Sequence, residues 1–117
     1  MKINEISSED LKAKMDAKED FILIDLIGEK SYESLHLPHA VYVAGGEGFV
    51  DRVHELVGGD RKRTVILYGL NFRDELSTRR AEELAMAGFA NVLDFKGGLK
   101  DWAAELFPLE GIRAPKK

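Results

Sequence analysis

Apolar residues along this chain fall into short unbroken runs, separated by stretches in which they recur every three or four positions. Phe21 to Leu26, Val41 to Ala44, Val65 to Tyr68 and Val92 to Phe95 are the runs. They lack the strict alternation of a strand with one wet face, and so predict strands covered on both sides, which is the situation in a parallel sheet. Phe49, Val50, Val53, Leu56 and Val57 repeat at helical spacing before the Gly58-Gly59 stop. Ala81, Leu84 and Ala85 do the same before Gly88, and Leu99, Trp102, Ala103 and Leu106 form a third stripe that ends before Pro108. Gly88 is placed to close its helix in the left-handed conformation. Near the start, Ser7 or Ser8 is predicted to cap a helix running to about Ala17, with Asp10 three residues after Ser7 and with Leu11 and Met15 on one face. Strand and helix in alternation predict an α/β domain of three layers, a mostly parallel central sheet with helices on both faces. In such a fold ligands sit beyond the carboxyl ends of strands, and Tyr68-Gly69 is one such end.

The length of 117 residues fits one domain, with a core from about residue 4 to 110 and a tail over 111–117. Ala114-Pro115-Lys116-Lys117 reads as frayed. A formal net charge of −4 argues against a nucleic-acid partner, which needs a basic face. No apolar stretch reaches the ~20 residues that span a bilayer, and the N-terminus lacks a cationic-then-apolar leader, so no membrane partner and a cytoplasmic location are expected. The sequence contains no cysteine, which removes disulfides and thiolate metal sites and leaves no cofactor implied.

Three segments, in order, carry a resemblance. Phe21-Ile22-Leu23-Ile24-Asp25-Leu26 leads through Glu29-Lys30-Ser31-Tyr32 to Leu35-His36-Leu37-Pro38-His39-Ala40-Val41. Thr64-Val65-Ile66-Leu67-Tyr68-Gly69 is followed by a loop, by Ser77, and by Ala81-Glu82-Glu83-Leu84 up to Ala87-Gly88-Phe89. Asn91-Val92-Leu93 and Lys96-Gly97-Gly98-Leu99-Lys100-Asp101-Trp102 close the set. Together they resemble the entry signature, the strand with its active-site loop and helix, and the closing Gly-Gly-x-x-x-Trp element of rhodanese-like domains, over nearly the whole chain.

The resemblance implies a nucleophilic cysteine at the start of the loop, where a persulfide forms while backbone N–H groups and the next helix N-terminus steady the anionic substrate. Here the loop reads Gly69-Leu70-Asn71-Phe72-Arg73-Asp74-Glu75-Leu76-Ser77. Gly69 occupies the nucleophile position and has no side chain to carry sulfur. Ser77 and Thr78 are poor substitutes, since an alkoxide is a weak acceptor of sulfane sulfur and no His-Asp pairing activates it. Capping of the following helix is the expected role of Ser77. Asp74 and Glu75 are both expected to place negative charge at the helix start and to oppose an incoming anion, with Arg73 as the one loop cation. Gly69→Cys is then expected to restore at most weak activity, improved further by Asp74→Asn and Glu75→Gln. Ile27 stands where the family often has an arginine after its acidic residue, leaving Asp25 to accept backbone N–H bonds in its turn. His39 stands where a glycine is common, and Leu35 likewise departs from the family.

Other candidates weigh less. His36 and His39 flank Leu37-Pro38 but have no third ligand at motif spacing, so turn hydrogen bonding is expected rather than metal. Gly45-Gly46-Glu47-Gly48 lacks full phosphate-loop spacing and reads as a flexible connection. Asp60-Arg61-Lys62-Arg63 reads as a solvated approach to a strand. Trp102 is expected in the core, and two placements of Phe72 stand open: its ring either folds inward to fill the space a substrate would use, or projects outward beside Arg73 as an interface residue.

These residues point to a catalytically silent member of the resembled family, acting as a binding or regulatory module with another protein as partner. The expected surface is the Gly69 to Ser77 loop with Asp25 to Ile27 and Ala44 to Gly48. The alternatives are a sulfurtransferase-related protein whose cysteine comes from a partner or has been replaced, and a structural subunit of a larger assembly. Blocking substitutions usually install Ser or Ala, so Gly69 reads as native.

Overall fold

The computed structural model describes residues 3–115; the expectation for Lys116 and Lys117 lies outside them. Ten elements follow one another: β1 (Asn4–Glu5), α1 (Ser8–Asp16), β2 (Ile22–Asp25), α2 (Glu29–Ser34), β3 (Val41–Tyr42), α3 (Phe49–Leu56), β4 (Thr64–Tyr68), α4 (Leu76–Met86), β5 (Asn91–Phe95) and α5 (Gly98–Ala104). The strands form one sheet in the order β1-β5-β4-β2-β3, and every pairing is parallel. Central strand β4 pairs Ile24 with Leu67 on one side and Asp94 with Leu67 on the other.

Alternate residues of the strands feed two cores, one on each face. Val65 and Leu67 pack with Phe49 and Val53 of α3 and with Ala81 and Leu84 of α4. Ile66, Tyr68 and Phe95 pack with Leu11 of α1 and with Leu99 and Trp102 of α5. This is the three-layer arrangement that the double-sided strands predict. Trp102 is fully buried, edge-on to Phe95 and Phe107, and its indole N–H donates to the carbonyl of Pro108 at 2.7 Å.

Local signals set most of the ends. Ser7 caps α1, its Oγ accepting from the Asp10 N–H at 3.1 Å. Gly88, at φ 93°, lies just beyond α4, as a left-handed closure requires. His39 adopts φ 67°, which accounts for glycine suiting that position. Two elements were not anticipated. β1 has only two residues, both exposed, and α2 buries no residue, so neither leaves an apolar stripe. The runs at Phe21 to Leu26 and Val41 to Ala44 also shorten to Ile22–Asp25 and Val41–Tyr42.

Candidate functional site

At the carboxyl end of β4 the chain leaves the sheet through Gly69 and turns into α4. The loop is held from one side by α5, whose Leu99 and Lys100 N–H groups donate to the carbonyls of Gly69 and Leu70 at 3.0 and 2.9 Å. That approach explains the second glycine of the closing element. Gly98 has φ 65°, and a side chain there would run into the Gly69 carbonyl. From the other side, the Leu26 N–H donates to the Tyr68 carbonyl at 3.1 Å and the Val43 N–H to the Asp25 carbonyl at 3.2 Å. Asp25 and Leu26 are thereby drawn to the loop. The Ala44 to Gly48 connection is exposed and meets α4 instead, with Gly45 against the Arg80 guanidinium.

Inside the loop, Asp74 takes the central place. Its Oδ2 accepts from the Leu70 N–H at 3.1 Å and its Oδ1 from the Leu76 N–H at 2.9 Å. One carboxylate thus bridges the second residue after the strand and the first residue of α4. A Cβ built on Gly69 would lie 2.5 Å from Asp74 Oδ2, so the space of a nucleophile's side chain is filled by the protein's own anion. Asn71 closes the turn further, its Oδ1 accepting from the Arg73 N–H and its carbonyl from the Asp74 N–H.

Two expectations need correction. Ser77 does not cap α4: it is the second residue of the helix, buried, with its Oγ unpartnered, because α4 already begins at Leu76, whose N–H is held by Asp74. Glu75 does not face the cradle but is exposed and pairs with Arg79 at 3.3 Å, one turn along α4. Of the two placements open to Phe72 the outward one is found, the residue being 62% exposed beside exposed Arg73. Sequence reading also missed a buried tie beneath α4, in which the Thr78 hydroxyl donates to Asp94 Oδ2 and accepts from Lys96 Nζ at 3.2 Å. The register that sets Asp94 under α4 becomes visible only once β5 is paired with β4.

Asp25 is fully buried at the end of β2. Its Oδ1 accepts from the Ile27 N–H at 2.8 Å, the turn bond expected of it, and its Oδ2 from the Tyr68 hydroxyl at 2.6 Å, which in turn accepts from the Leu37 N–H. Burial raises the Asp25 pKa above its ordinary 3.8, opposed by the Tyr68 and Ile27 hydrogen bonds and by nearby His36. Burial and the adjacent Asp25 push the Tyr68 hydroxyl far above its ordinary value, so it stays a donor.

A carboxyl raised on folding is bound more tightly to its proton in the native state. Its contribution to stability is complete below 3.8 and is lost as pH rises through the higher folded value. In paired chemical denaturations, the native chain is expected to lose stability relative to an Asp25→Asn variant as pH rises through that window. A difference independent of pH would contradict the raised pKa.

His36 is stacked on Tyr32 at 4.0 Å and its Nδ1 meets the Tyr32 carbonyl at 2.6 Å, the local bonding expected of it. Among the described residues no cluster of His, Asp or Glu could hold a metal. No helix among them is long and apolar enough to cross a membrane.

A family model described as rhodanese-like domain matches residues 7–105. The chain belongs to the rhodanese-like domain family. Among solved structures, the solution structure of the rhodanese-like domain of the Anabaena sp. Alr3790 protein is 29% identical, with a TM-score of 0.81 over 97% of this chain and 82% of that one. The BH2092 protein of Bacillus halodurans is 24% identical, with a TM-score of 0.84 over 95% of this chain and 79% of that one. A thiosulfate sulfurtransferase of Pseudomonas aeruginosa, also 24% identical, has a TM-score of 0.82 over 93% of this chain and 20% of its own. The last two likenesses establish fold alone. The comparison with curated proteins returns no match. Within the family fold, this rhodanese-like domain has no thiol on which a persulfide could form.

Proposed function

We propose that this rhodanese-like domain is silent in sulfur transfer and serves as a binding module that presents the loop from Gly69 to Ser77 to another protein. The observation that carries the reading is the Asp74 carboxylate, bonded to the Leu70 and Leu76 N–H groups in the space a catalytic side chain would use. Two donors at the loop and the helix start are already spent on Asp74, and the space beside Gly69 is filled, so the site lacks the nucleophile and the room for its side chain. What the loop offers outward instead is an exposed aromatic ring, Phe72, beside exposed Arg73. Phe and Arg are residue types enriched at protein interfaces.

Two measurements test this. Thiosulfate and cyanide incubated with the purified chain are expected to form thiocyanate at the buffer rate, and turnover clearly above it would overturn the silent reading. In capture experiments, a chain whose residues 70–76 are replaced by Gly and Ser is expected to lose a specific partner held by the parent. An unchanged capture profile would contradict binding through the loop.

A further inference from the structure

Beside the loop, where α1 and α5 begin, lies an open concavity of about 390 Å³. Phe72 forms one wall, and the carboxylates of Glu5, Glu9, Asp101 and Glu105 line it together with a single cation, Lys96. The large aromatic rings Trp102, Tyr68, Phe49 and Phe95 are fully buried, so the exposure of Phe72 at this rim is unusual within the molecule. None of the four carboxylates takes part in an ion pair among the described residues, although six pairs to Lys or Arg form elsewhere among them. Lys96 directs its ammonium to the Thr78 hydroxyl. The concavity is therefore negative, and its walls focus that potential outward. β1, which contributes Glu5, is the outermost strand on this side, paired only with β5. Its free edge lies open to an extended chain.

We propose that this groove receives an extended basic segment of a partner protein, with an arginine guanidinium over the Phe72 ring and further cationic side chains against the four carboxylates. The inference rests on reading the Gly69 to Ser77 loop as a binding surface and names the chemistry of its occupant. Charge decides among occupants. An anionic peptide, a nucleic acid or an acidic lipid surface would meet like charge, and a purely apolar segment would bury carboxylates without partners. A guanidinium satisfies both features, since it pairs with carboxylates and stacks on an aromatic face.

The test uses the acetylated, amidated hexapeptide Arg-Leu-Arg-Gly-Arg-Leu, and its counterpart with glutamate for every arginine, titrated into the full chain and followed by amide chemical shifts. The basic peptide is expected to bind saturably, shifting Glu5, Ile6, Phe72 and Gly97, while the acidic one shifts none of them. Raising salt from about 0.05 to about 0.5 M should weaken binding roughly tenfold or more. Phe72→Ala, a change at an exposed position, should also weaken it by roughly tenfold or more. The combined variant Glu5→Gln, Glu9→Gln, Asp101→Asn, Glu105→Gln should abolish it. Equal binding of the two peptides, shifts confined to another face, or unchanged affinity in both variants would overturn the proposal. The readings fail separately. Loss of partner capture on loop replacement, with the basic peptide not binding, overturns the basic occupant alone, whereas unchanged capture overturns the loop reading beneath it.

Discussion

Replacing Trp102 with alanine is expected to lower the stability of the domain by about 3–5 kcal/mol, the usual cost of emptying a large aromatic site in a core. The indole is fully buried and packs edge-on against Phe95 and Phe107, and its N–H donates to the Pro108 carbonyl. Truncation therefore leaves a cavity and an unpaired acceptor on the segment that follows α5. Against the roughly 5–15 kcal/mol that holds a typical domain together, this is a large share. Chemical denaturation with a fitted midpoint and slope measures it. A midpoint within error of the parent would mean that neither the packing nor the indole bond supports the sheet. Trp102→Phe, which keeps most of the volume but not the N–H, should recover most of the loss.

Reinstating the thiol is expected to fail for a steric reason. A Cβ at Gly69 would stand 2.5 Å from Asp74 Oδ2, so Gly69→Cys must drive the carboxylate out of the cradle and strip the Leu70 and Leu76 N–H groups of their acceptor. Loss of hydrogen bonds to a charged group is worth about 1.5–3 kcal/mol, and the variant should be destabilised on that scale with thiocyanate still formed at the buffer rate. Neutralising charge does not help, since Asp74→Asn keeps the offending volume and Glu75 points away toward Arg79. Asp74→Gly removes the volume. In a cycle of the parent, Gly69→Cys, Asp74→Gly and the double variant, the double is expected to lose clearly less than the sum of the singles. Additive losses would mean that the two positions do not share one space, and ordinary family turnover from Gly69→Cys alone would refute the steric account.

What was legible in the sequence followed from patterns that local chemistry enforces. Runs such as Val65 to Tyr68 are apolar on both faces because both faces are covered, and the stripe from Leu99 through Trp102 marks the side of α5 that meets the sheet. The loop was legible in composition but not in direction. Asp74, Glu75 and Ser77 are all plausible at a helix start, and the choice among them depends on where the chain closes on Gly69, a tertiary fact. The direction of Phe72, which the structure turns outward, was open for the same reason. The Tyr68 and Asp25 pair could not be read from spacing either. They are neighbours because β2 and β4 align Asp25 with Tyr68 across the sheet.

The strand order has a consequence for how such a chain comes into being. β1 finds its partner only in β5, through Asn4 beside Leu93, and central β4 needs β2 before it and β5 after it. A chain emerging N-terminus first from the ribosome therefore carries β1 without a mate until β5 has been made. Closing so long a loop spends entropy before any contact repays it, which favours slow, all-at-once formation over stepwise accretion. No piece of this domain that lacks β5 can stand as an intermediate with a finished sheet, and until β5 arrives one side of β4 stays open to wrong pairing.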